Sequence, residues 1–327
     1  MACVIVSGMF ERNILVRSVV CVWCATIIPA SGWGQLTGAE KGVTLTVMGN
    51  VQDGGYPHIG CERPDCRNLF LRPAGQHQVV CLGVVDEVEG KQFLFEATPD
   101  AARQAHQLTA LPGAHTGMPD GIFVTHAHWG HYTGLGLLGR EAKGAQGVPV
   151  YAMPKLTAFL EANGPWSQLV ALGNIALHAL NADAPVEATK RLTVTPIRVP
   201  HRDEFSETVG FRIEGPERSA LFIPDIDKWA KWDRSLADEV ARVDYAFLDG
   251  TFHDGEELGH RDMAEVPHPF IVESLDLMSS WTAAQRDKVH FIHLNHTNAL
   301  LDPESPESQS VEAAGCHVAR FGDRFQL

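Results

Sequence analysis

Basic charge is scarce in this sequence: 26 lysines and arginines stand against 40 aspartates and glutamates, a formal net charge of -14 over 327 residues. Phosphate backbones attract basic surfaces, so the balance argues against nucleic acid and leaves a small molecule as the expected partner. No block of like charge, low-complexity tract or internal repeat interrupts the chain. Cysteine is sparse too. Of seven, Cys3, Cys21 and Cys24 fall in the first 34 residues, leaving Cys61, Cys66, Cys81 and Cys316, too few in so long a chain for a disulfide framework. Long apolar runs are also missing. The segment Val19–Ile28 is too short for a comfortable membrane span.

The N-terminus nevertheless has an order of its own. Arg12 and Arg17 precede that apolar segment, and Pro29-Ala30-Ser31-Gly32 follow it. Charge, apolar core and small residues in sequence describe a secretory signal peptide, here residues 1–34. It implies a periplasmic or secreted protein with no stable membrane span once the leader is removed. The alternative is a cytoplasmic enzyme read from an upstream start. The rest, 43–327, is long enough for a large core and reads as one domain, its oligomeric state open.

Threonines alternate with apolar residues over Val43–Met48, which predicts a strand with one buried face. A loop is expected from Gly49 to Cys66, then strands at Gln78–Val85 and Phe93–Glu96 and a helix at Ala101–Leu108. Helices are further expected at Gly134–Arg140, Pro154–Asn163, Lys228–Val240 and Pro269–Leu277. Strands are expected at Pro149–Met153, Leu192–Val199, Thr208–Glu214, Ala220–Ile223, Tyr245–Leu248, Val289–Ile292 and His317–Phe321. The segment Gly164–Lys190 has no clear pattern. Strands in two batches with helices between and after them fit an α/β (α+β) αββα four-layer sandwich.

One stretch organises the rest. His126, His128 and His131 fall within six positions directly after the apolar run Gly121–Val124. Histidines on a loop at a strand's C-terminal end can converge on one point, and neutral imidazole is the commonest ligand for zinc and also suits iron. Later strands end the same way. His201 follows Ile197–Pro200, Asp225 and Asp227 follow Leu221–Pro224, and His293 follows Val289–Ile292, with His296 three residues on.

This order of ligands resembles the metallo-β-lactamase superfamily. Met48-Gly49, Gly54-Gly55-Tyr56-Pro57, Ala97-Thr98-Pro99-Asp100, Asp249-Gly250-Thr251 and His293-Leu294-Asn295-His296 are similar, more narrowly, to its pyrroloquinoline-quinone (PQQ) synthesis protein B branch. The resemblance implies a first metal held by His126, His128 and His201. It implies a second held by His131 and His293, with Asp225 between the two. It further implies a structural zinc at Cys61, Cys66 and His296, with His58 or water as fourth ligand. A disulfide or two free thiols are the alternatives for the cysteine pair. Two departures stand out. Gly130 replaces an aspartate that binds the second metal in hydrolases of the superfamily, and Glu96 replaces an aspartate that buttresses the histidine loop. The second metal is then weak, absent, or held by another carboxylate such as Asp203, Glu204 or Asp227.

The function expected is hydrolysis of a small ester, lactone, amide or phosphodiester by a metal-activated hydroxide. One or two Zn²⁺ ions would serve, with Asp225 orienting the hydroxide and His253 as candidate acid. Two alternatives remain. One is an oxidative enzyme using Fe²⁺ or Mn²⁺, or a protein B-like role in quinone cofactor synthesis. The other is a non-catalytic, metal-stabilised binding protein.

Overall fold

The computed structural model describes residues 42–72, 77–259 and 266–327, so the leader assigned to 1–34 lies outside the described residues. Strands β1 (Val43–Gly49), β2 (Cys81–Asp86), β3 (Lys91–Phe95), β4 (Gly121–Phe123), β5 (Val148–Ala152) and β6 (Ile175–Ala179) form one sheet. A second contains β7 (Val186–Thr189), β8 (Leu192–Arg198), β9 (Val209–Glu214), β10 (Ser219–Ile223), β11 (Tyr245–Asp249), β12 (Val289–Ile292) and β13 (His317–Val318). The C-terminal β14 (Arg324–Gln326) crosses back to pair antiparallel with β1.

The apolar faces of the two sheets pack on each other. Val43, Leu45 and Val47 of β1 join Phe95 and Phe123 on one side and Phe211, Phe222 and Phe247 on the other. The Phe211 ring meets Phe95 and Phe123 edge-on at 5.6 and 5.8 Å, the geometry favoured by aromatic quadrupoles. Helices cover both outer faces. Among the described residues the helices are α1 (Pro64–Leu71), α2 (Ala101–Leu108), α3 (Trp129–Tyr132), α4 (Pro154–Ala162), α5 (Trp166–Ala171), α6 (Leu236–Ala241), α7 (Ile271–Leu277), α8 (Ala283–Arg286) and α9 (Pro306–Ala313). Leu108, Leu156 and Leu169 seat α2, α4 and α5 on the first sheet, while Val240, Ile271 and Val311 seat α6, α7 and α9 on the second. The result is the αββα sandwich expected.

Local departures have local causes. β1 is buried on both faces, because Met48 packs under the outer helices and Thr44 Oγ1 accepts a hydrogen bond from Gln326 of β14. The expected loop to Cys66 ends early: Pro64 starts α1, whose buried side is Cys66 alone and so leaves no apolar stripe to read. In place of one helix over Lys228–Val240 there is a 3₁₀ turn at Trp229–Lys231 and then α6, restarted by Ser235, whose hydroxyl accepts from the Asp238 amide. Gly134–Arg140 is a 3₁₀ segment over Thr133–Leu138, and the last expected strand shrinks to His317–Val318.

Strand direction positions the site. β3 to β6 run parallel, as do β10 to β13. β8 is antiparallel to β9, and β9 to β10, so β8 points the same way as β10. The C-terminal ends of β8, β10, β11 and β12 therefore open on one edge.

Candidate metal centre

His126, His128, His201 and Asp225 bring one donor atom each within 4.8 Å of one another. Asp225 lies between them and the remaining histidines. Its Oδ2 is 3.1 Å from His201 Nε2, 3.4 Å from His126 Nε2 and 3.8 Å from His131 Nε2. The three histidines expected at the first site and the acid expected beside them thus lie together at one rim. His131 and His293 converge beside them with a residue the sequence did not point to, Asp53.

Each imidazole is held by one nitrogen and turned inward by the other. His126 Nδ1 contacts Thr125 Oγ1 at 2.9 Å, and His131 Nδ1 contacts Glu96 Oε1 at 3.0 Å. His128 Nε2 meets Glu204 at 2.9 Å, His201 Nδ1 meets Asp227 at 3.2 Å, and His293 Nδ1 meets Thr251 Oγ1 at 2.8 Å. An oxygen partner on the far nitrogen fixes tautomer and ring plane, as around bound metals. The inward Nε2 atoms of His126 and His131 are buried without a hydrogen-bond partner. Buried polar atoms are almost always satisfied, so two such nitrogens beside a carboxylate fit a cation between them.

Glu96 does buttress the loop. Its carboxylate receives the Thr125 amide and hydroxyl as well as holding His131, and it is fully buried. Its φ of +93° and the +67° of His293 put two non-glycine residues in left-handed backbone directly after β3 and β12. Such strain persists where the surroundings over-determine it.

Charge in the cluster is tightly linked. Burial alone would raise the Asp53 carboxyl, but the His131 and His293 rings hold it well below the usual range. Asp225 is likewise held low against its burial by His201 and His268. Burial and the neighbouring His131 push His126 down, whereas Glu96 and Asp53 overcome burial to push His131 up. The opposite shifts of these two neighbouring rings reflect the carboxylates beside His131.

Glu204 and Asp227 steady His128 and His201 from outside, and Asp203 bonds Arg198 and Thr208, so none of them fills the gap left by Gly130. Asp53 lies there instead. His253 is tied to its neighbour Asp254 at 3.1 Å and belongs to no donor group among the described residues. His268 stands at the centre, its Nδ1 2.9 Å from Asp249 and 3.2 Å from Asp225, with its pKa lifted to about 9 because Asp249 and Asp225 outweigh its burial. Asp225, Asp249, His268 and His293 also form a four-donor group. His268 followed no apolar strand, so nothing local marked it out. The thiols of Cys61 and Cys66 are free, the Cys66 sulfur accepts the His58 amide at 3.1 Å, and the His58 ring stacks on His296 at 4.1 Å. No three of these four gather as a metal group among the described residues.

A cavity of about 420 Å³ opens beside Asp53, walled by Tyr56, Phe70, Arg103 and Trp129. A more apolar one of about 440 Å³, between α2 and the 3₁₀ segment, holds none of the donors. Among the described residues no helix is long and apolar enough to cross a membrane.

Residues 91–295 match the family model described as a beta-lactamase superfamily domain. The coenzyme PQQ synthesis protein B of Methylobacterium radiotolerans is 28% identical over 309 residues, covering 86% of this chain and 99% of that relative. The same protein from Cupriavidus taiwanensis is 26% identical over 324 residues, covering 87% and 99%. Among solved structures, Zn²⁺-bound PqqB from Methylobacterium extorquens superposes with a TM-score of 0.70 at 21% identity, covering 87% of this chain and all of that one. A diphosphatase of the PhnP family superposes at 0.59 with 22% identity, covering 87% and 97%. The family match, the sandwich and the histidine rim agree, and the chain belongs to the metallo-β-lactamase superfamily, similar within it to PQQ synthesis protein B.

Proposed function

We propose that this protein is a zinc-dependent hydrolase of a small ester, lactone, amide or phosphodiester. The observation that supports this most is the set His126, His128, His201 and Asp225, with each ring anchored on its far nitrogen. Histidine nitrogens with a carboxylate are zinc's usual donors in catalytic sites. A bound zinc ion supplies Lewis acidity, polarising a substrate oxygen and making water acidic enough to attack near neutral pH. The chain does the rest. Asp225, facing all three first-site rings, is placed to accept a hydrogen bond from the attacking water and orient it. His268 commits Nδ1 to Asp249 and Asp225, which leaves Nε2 to give a proton to the leaving group. The exposed Trp129 and the cavity beside Asp53 offer walls for a small organic group.

The test is metal analysis of protein purified without added metal, followed by a screen of lactone, β-lactam, phosphodiester and aryl-ester substrates. Zinc with turnover, both lost in His128→Ala, is the expected result. Wild-type turnover in His128→Ala sinks the assignment. A second reading, a protein B-like role in quinone cofactor synthesis, is favoured by relatives matched along nearly their whole length. Iron in the purified protein with oxygen uptake would select it.

Two further readings belong to the same proposal. The leader directs export, which N-terminal sequencing of the mature protein checks. The other is a structural zinc at Cys61, Cys66 and His296, which do not gather as a donor group among the described residues; were it bound there, Cys61→Ala would lower stability while leaving the catalytic ion in place.

A further inference from the structure

We infer that the second metal position is completed by Asp53, a carboxylate on the loop after β1 that replaces the one missing at residue 130. This rests on reading the histidine rim as a metal centre and adds the ligand that makes it binuclear. Asp53 Oδ1 lies 3.1 Å from His131 Nε2 and 3.4 Å from His293 Nε2, and the three side chains form one donor group. Both rings are fully buried and aimed from behind, His131 by Glu96 and His293 by Thr251. The His131 nitrogen lacks a hydrogen-bond partner although the carboxylate is so near. That geometry suits two ligands sharing an ion better than a donor and its acceptor.

Gly130 explains why the carboxylate comes from elsewhere. A Cβ at this position would lie 2.4 Å from Asp53 Oδ1 and 2.6 Å from Asp53 Cα. The carboxylate could swing aside, but the backbone atom could not. A side chain at 130 and Asp53 in its present place therefore exclude each other. The glycine makes room for a ligand arriving from another element.

The loop is built to deliver it. Val51 forms a parallel bridge with Leu294, the residue after His293. The Gln52 amide donates to the Leu294 carbonyl at 2.9 Å, and the Leu294 amide to the Asn50 carbonyl at 2.8 Å. The Gly55 amide then closes a turn onto Gln52 at 2.8 Å, with Gly55 at φ +72°. Asp53 and His293 are thus set by one run of backbone hydrogen bonds, 240 positions apart in sequence. Rigid support of this kind is what a metal ligand needs.

The experiment titrates the metal-stripped chain with zinc sulfate, counting bound zinc by mass spectrometry, and repeats it with cobalt(II) chloride, whose visible absorption reports coordination. Asp53→Asn and Asp53→Ala should each lose one equivalent relative to wild type, or bind it more than about tenfold more weakly. Gly130→Asp alone should lower Tm, because two side chains then compete for one space. Asp53→Gly with Gly130→Asp should recover the lost equivalent. His128→Ala separates the two readings, since it removes the other ion. If His128→Ala loses zinc while both Asp53 variants bind like wild type, this inference is overturned and the metal centre stands. If neither His128→Ala nor the Asp53 variants alter zinc binding, the centre itself is wrong.

Discussion

At position 96 a fully buried glutamate sits in left-handed backbone at φ +93°. From there one carboxylate serves both Thr125 and His131. Replacing it with Glu96→Gln keeps the shape and removes the charge. Zinc affinity should then fall about 10- to 100-fold, as when other outer partners of metal ligands are lost, and a zinc titration checks it. His268→Asn belongs to the same scale. It should lower kcat by about 10²-fold on substrates with poor leaving groups while zinc content stays constant, the split expected of a proton donor. His126, His128, His131, His201, Asp225 and His293 were legible because each closely follows an apolar strand. Asp53 and His268 were not. One sits in a glycine-rich turn and the other follows no strand, and only tertiary structure brings them to the rim.

Elements were readable where burial imposes a period. The α2 helix was marked by Pro99 just ahead of it, and the buried strands β8 to β12 fell close to their predicted spans because one face or both must be apolar there. The break before α6 was hidden, since Trp229 and Leu236 sustain an apolar pattern across the turn that Ser235 interrupts. Strand β12 also contains a pH-sensitive contact outside the centre. The half-buried His290 stacks on His317 of β13 at 4.9 Å, and burial, then His317, push its pKa down to about 4. The unfolded chain binds this proton near pH 6.5, so between pH 6.5 and 4 it holds more protons than the folded one. Stability should therefore be full above pH 6.5 and decline by up to about 3 kcal/mol as the pH falls to 4. His290→Phe should flatten that decline. Thermal melts of both proteins across the window check the sign.

The sandwich as a whole depends on the aromatic layer between its sheets. Phe211 is fully buried and touches Phe95 and Phe123 from the opposite sheet. Phe211→Ala should cost about 3–5 kcal/mol by opening a cavity that rigid strands cannot close, visible as a lower midpoint in urea. The four-layer order was legible because two batches of strands need two faces to bury. The return of β14 to β1 was not, since Arg324–Gln326 has no apolar pattern of its own. That return and the bridge from Val51 to Leu294 bring the first strand and the last third of the chain together. An ion shared by Asp53 and His293 would act as a clasp across 240 positions of the polypeptide. Unfolding would then have to release it early, and chelation should quicken amide exchange on both sides of the seam together, at residues 50–55 and at 294.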